Sequence, residues 1–200
     1  MTAQIGDKFT FKGDDYSIVA ISTPIGFNFQ NYGITPEPIC TACWNGYWCE
    51  YEISDTGIFL KNLYINSKDD YYPEINGVRP VDDEKEGQKR YQYMGHHLYK
   101  NLSIPLEYTG KILVGKGFLR EYYIHMGYQR AWAYENLREL IFENGKLMET
   151  FDHGEMAKKL RKEIDAQTNN KERANGNVNI SMFIEKSYSL NMEDKAWWIK

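Results

Sequence analysis

The chain has 200 residues, enough for one large domain whose core needs no disulfide or metal staple. Hydrophobic residues make up 42% and charged residues 26%, which excludes wholesale disorder, and a net charge of −4 supplies no overall cationic field for nucleic acid. The unusual quantity is aromatic content, 15%, with sixteen tyrosines.

The first residues carry no long apolar leader, and no apolar run reaches the ~18 residues of a membrane span. Three cysteines cannot pair completely within one chain. Together these point to a reducing cytoplasmic setting without a membrane association.

Strand signals dominate the first three quarters. Phe9–Phe11, the turn formers Gly13-Asp14-Asp15 and Tyr16–Ile21 read as an opening hairpin. Tyr47, Cys49, Tyr51 and Ile53 alternate with Trp48, Glu50 and Glu52, so the two sets face opposite ways. Thr56-Gly57 turns the chain into Ile58–Ile65, where the apolar phase slips near Lys61-Asn62 and predicts a bulge or break. Ile104 to Val114 keeps one parity across Thr109-Gly110, as a tight hairpin or as one strand with an internal glycine. Tyr122, Ile124, Met126 and Tyr128 predict another strand. Leu140–Glu143, Asn144-Gly145 and Lys146–Glu149 predict a two-residue hairpin, because Asn-Gly tolerates positive φ at both central positions.

One helix is expected near 153–166, capped by Asp152 with Glu155 in capping-box position. Met156, Leu160 and Ile164 form its apolar stripe, with Lys158, Lys159, Arg161 and Lys162 turned to solvent. The expected division is a β-rich body (1–166), a polar linker (167–177) and a C-terminal strand or tail (178–200) that folds back or mediates association. The fold class is α+β, mainly antiparallel: hairpins built into a sandwich or a curved, barrel-like sheet.

Three sets of residues suggest chemistry. Cys40, Cys43 and Cys49, with His97 as a fourth donor, can be drawn as a zinc site, but the second tight ligand pair of a structural site is missing and core packing is favoured. His125 with Glu50, Glu52 and Glu107 offers acid–base groups for a hydrolase acting on a small or sugar-like substrate, though no nucleophile motif accompanies them. The third set is aromatic: Tyr91, Tyr93, Tyr122, Tyr123, Tyr128 and Trp132, joined by Trp197 and Trp198 in the tail. Such rings concentrate at protein contacts. The favoured expectation is therefore a small non-catalytic module, without cofactor, that recognises another protein or a second copy of itself. An immunity-type antagonist is one form of that reading, and a hydrolase is the alternative.

Overall fold

The computed structural model describes residues 2–38, 40–54, 56–82, 97–125 and 127–175. Among these, ten strands form one mixed sheet: β1 (Lys8–Phe11), β2 (Asp14–Ile21), β3 (Tyr47–Ser54), β4 (Gly57–Ile65), β5 (Val81–Asp82), β6 (His97–Tyr99), β7 (Ile104–Pro105), β8 (Gly110–Phe118), β9 (Tyr134–Glu143) and β10 (Lys146–Asp152). The order is β10-β9-β8-β2-β1-β3-β4-β6-β5, with β7 beside β4, and a single helix, α1 (Gly154–Asn175), follows β10. Every pairing is antiparallel except β1 with β3, which run parallel with Phe9 opposite Tyr51.

Local chemistry explains the hairpins. Asn144 (φ 49°) and Gly145 (φ 79°) make the expected two-residue turn between β9 and β10. The opening hairpin turns one position earlier than its composition suggests: Lys12 (φ 53°) and Gly13 (φ 81°) form the corner, and Asp14 and Asp15 already belong to β2. Between β3 and β4 the register steps from Glu50–Asn62 to Tyr51–Leu60, which leaves Lys61 as the extra residue of a bulge where the apolar phase slips. Thr109-Gly110 separates β7 from β8, and those two strands do not pair with each other.

The sheet curls around its main core, which contains Phe9, Phe11, Tyr51, Leu60, Leu63, Ile112, Leu140 and Phe142. Ile58 donates to the Gly145 carbonyl at 2.9 Å, so the last hairpin touches the start of β4; the ladder does not continue there, and the curl stays short of a closed barrel or a sandwich. Leu113 and Leu137 face the other way, into a second core with Trp132, Ala157 and Leu160. Full burial of a leucine such as Leu160 is worth about 2 kcal/mol, which holds α1 on the sheet. A third cluster stacks Trp48 on Tyr64, ring centroids 3.7 Å apart, with Cys43 and Leu98.

Three expectations change. Of the expected 122–128 strand, Tyr122 closes a short 3-10 turn (Arg120–Tyr122), Tyr123, Ile124, His125 and Tyr128 belong to no strand, and Gly127 takes φ 64°. The helix continues to Asn175, well past 166, through a polar stretch in which Gln167, Lys171, Glu172, Arg173 and Ala174 are good helix formers and Thr168 and the asparagines are not. Arg161 does not point into solvent: its guanidinium donates to the carbonyls of Trp132 (2.6 Å) and Tyr134 (2.8 Å). Among the described residues no helix is long and apolar enough to cross a membrane.

Candidate binding surface

Much of the aromatic content among the described residues is consumed inside. Phe9, Tyr16, Trp48, Tyr51, Tyr64, Tyr99, Tyr108, Tyr134 and Phe142 are all buried. Of the rings that reach solvent, Phe151 (46% exposed) lies on β10, whereas Trp44 (62%), Tyr128 (53%), Tyr71 (51%) and Tyr123 (49%) sit on connections.

The N-terminal segment brings two of these connections together. Gln4 donates its backbone N–H to the Gly127 carbonyl (2.8 Å), and Ile5 donates to the Ala42 carbonyl (2.9 Å). The Gln4 side chain spans the same gap, its Nε2 donating to the Thr41 carbonyl at 2.8 Å and its Oε1 accepting the Trp44 amide at 3.3 Å. Trp44 and Tyr128 therefore flank one short strand-like segment. The loop that carries Tyr128 is itself clasped: the Gln129 side chain accepts from the Ile124 amide at 3.0 Å and donates to the Ile124 carbonyl at 2.8 Å. Within that loop the Tyr123 hydroxyl and His125 Nδ1 lie 3.2 Å apart. These hydrogen bonds fix the backbone beneath the exposed rings, so little ordering cost remains for a contact.

Beneath this surface lies Asp7. Its Oδ1 accepts the Cys49 amide at 2.8 Å, and burial pushes the carboxyl up from 3.8 to about 6. The nearby acids respond in kind. Burial first, then the charge of Asp7, raises the Tyr128 hydroxyl, while burial followed by Cys49 and Asp7 takes Tyr47 up to about 12.

The remaining candidates fare differently. Trp132 is buried in the second core and meets Tyr122 edge-to-face with centroids 5.2 Å apart, so it is not part of an exposed surface. Tyr122 is half-buried, with its hydroxyl donating to Asp165 at 2.8 Å. Both rings serve the α1 interface. Tyr91, Tyr93, Trp197 and Trp198, with the expected 178–200 strand, lie outside the described residues.

The acid–base set does not assemble among the described residues. Glu50 is held by Lys8 (3.1 Å) and Asn62 (2.6 Å), and Glu52 by Lys61 (3.1 Å). Glu107 is exposed beside the β9–β10 turn, and His125 is occupied with Tyr123. The four zinc candidates, the disfavoured alternative, do not come together either. Cys49 faces the main core, whereas Cys40 and Cys43 pack with Trp48 on the other side of β3, and His97 stacks on Tyr72 with centroids 3.5 Å apart. Among the described residues no three His, Cys, Asp or Glu side chains are grouped to hold a metal ion.

Sequence reasoning missed Trp44 and Asp7. Trp44 stands between a Cys-x-x-Cys turn and Asn45-Gly46, so a large ring among turn formers was the available signal. Asp7 carried none, since its burial depends on the strand arriving from residue 49. Comparison with family models, curated proteins and solved structures finds no match for the chain.

Proposed function

We propose that the protein is a non-catalytic binding module that grips another protein through the rigid aromatic surface around Trp44 and Tyr128. The observation that carries this reading is the pair of large, solvent-facing rings set on loops tied to a shared N-terminal segment. Exposed tryptophan and tyrosine on a preorganised backbone have the character of interface anchors. The dispersal of His125, Glu50, Glu52 and Glu107 favours binding over hydrolysis.

A photo-crosslinking amino acid placed at Trp44 tests it, with the same probe at Met148, 57% exposed on β10, as control. The expected result in native lysate is one dominant covalent adduct from position 44 and none from 148. No adduct from 44, or the same adducts from both positions, overturns the reading.

A further inference from the structure

The Cys40–Cys43 turn, which shares the Gln4 and Ile5 bonds that support Trp44, is a second candidate site with its own chemistry. Neither cysteine is joined in a disulfide; Cys40 is half-buried and Cys43 buried. The Cys43 amide donates to the Cys40 carbonyl at 3.1 Å, and the two residues face each other across a β-bridge. Residues paired in this way have Cα atoms about 5.5 Å apart, within the ~4.4–6.8 Å that a disulfide spans. Both side chains pack on the same Trp48–Tyr64–Leu98 cluster, so the thiols lie on one side of the turn.

We propose that Cys40 and Cys43 form a redox dithiol that closes to an intramolecular disulfide when the protein meets an oxidised low-molecular-weight thiol of the glutathione type. The turn is already held in shape: its two central carbonyls, of Thr41 and Ala42, accept from Gln4 Nε2 and the Ile5 amide. Such preorganisation favours the second, intramolecular step. The exposed edge of Cys40 makes it the attacking group. Cys43 cannot take that part, because burial pushes its thiol up to about 11 and its Sγ donates to the Tyr47 carbonyl.

The steps balance. Cys40 gives up its proton and its sulfur attacks one sulfur of the small-molecule disulfide, breaking that S–S bond and releasing one thiol. Cys43 then loses its proton to solvent and attacks the Cys40 sulfur, releasing the second thiol, which takes up a proton. Two protein thiols are oxidised and one small disulfide is reduced to two thiols. Only two residues lie inside the closed loop, so chain entropy adds little and the bond stays reversible. Cys49 is fully buried on the other side of β3 and takes no part.

The test uses the full chain equilibrated in mixtures of glutathione and glutathione disulfide, quenched by alkylation and mapped by mass spectrometry. The expected wild-type product is two hydrogens lighter, with Cys40 linked to Cys43, and is restored by a dithiol reductant. Cys43→Ser should accumulate at least tenfold more mixed disulfide at Cys40 than wild type, and Cys40→Ser at least tenfold less at Cys43. Wild type that keeps both thiols at every ratio, or that stops at the Cys40 mixed disulfide, overturns the proposal without reference to any variant. Neither result depends on whether a protein binds Trp44.

Discussion

The carbonyl of Gly145 accepts the Ile58 amide at 2.9 Å, and the Gly145 amide donates to the Tyr108 carbonyl at 2.8 Å. One turn residue thus links the last hairpin to both β4 and the approach to β8. A Cβ at Gly145 would run into the Leu106 carbonyl, at a φ of +79°. Gly145→Ala should therefore lower stability by about 2–4 kcal/mol. Gly13, at φ +81° with open space where a methyl would sit, is the control. Its alanine variant should cost only the left-handed backbone, ~1–2 kcal/mol. Urea unfolding separates the two, and equal losses would show that the hairpin tip is not an anchor.

Asp7 sets a pH dependence. Burial raises its carboxyl from 3.8 to about 6, so the folded chain holds this proton more tightly than the unfolded chain does. Its contribution to stability is fully present below the unfolded value, declines as pH rises through that interval, and is lost above about 6. A shift of this size corresponds to at most about 3 kcal/mol. Asp7→Asn keeps an oxygen for the Cys49 amide but has no charge to desolvate. It should exceed wild type by about 1–3 kcal/mol near pH 7.5 and match it near pH 4. An Asn variant less stable at both pH values would contradict this assignment.

Glu139 is a buried carboxylate shared by two basic partners. Its Oε1 lies 3.2 Å from Lys111 Nζ and its Oε2 lies 2.8 Å from His153 Nε2, joining β8 and β9 to the residue before α1. Glu139→Ala should cost about 3 kcal/mol, because it strands partly buried groups. Lys111→Met should cost about 1 kcal/mol or less, since the lysine end is well exposed. Chemical denaturation of both variants checks the order, and a larger loss for the lysine would refute it.

Arg161 ties α1 to the backbone at the start of β9 through the Trp132 and Tyr134 carbonyls. Removing it as Arg161→Ala should destabilise by about 2–3 kcal/mol, with Arg161→Lys recovering part, because a single nitrogen, Nη1, makes both bonds and an ammonium on a shorter stem replaces it only incompletely. Loss of helix signal before strand signal on heating would accompany the alanine variant. A fully stable Arg161→Ala would mean that apolar packing alone seats the helix.

Features fixed within a few residues were legible in the sequence. Asn144-Gly145 and the phase slip at Lys61 act locally, as does Asp152, whose Oδ1 accepts the Gly154 amide at 2.8 Å although His153 supplies the first helical carbonyl and Glu155 faces Lys158. The parallel pairing of β1 with β3 was not, because it joins segments about forty positions apart through a connection with no crossover helix. The alternation over 122–128 misled for a different reason. Tyr122 is drawn under α1 by Asp165, Ile124 is clasped by Gln129 and Tyr128 faces out, so unrelated contacts mimic a strand period. Aromatic density misled about the surface in the same way: many strand-favouring rings filled the cores, and apart from Phe151 on β10 the large exposed rings fell on connections.

The decisive measurement is the affinity of the protein captured through position 44, determined by calorimetry for wild type, Trp44→Ala and Tyr128→Ala. Interface anchors lose about 2 kcal/mol or more on truncation, so each variant should bind about 30-fold more weakly while its circular dichroism stays unchanged. Unchanged affinity in both folded variants would contradict a binding surface built on these two rings.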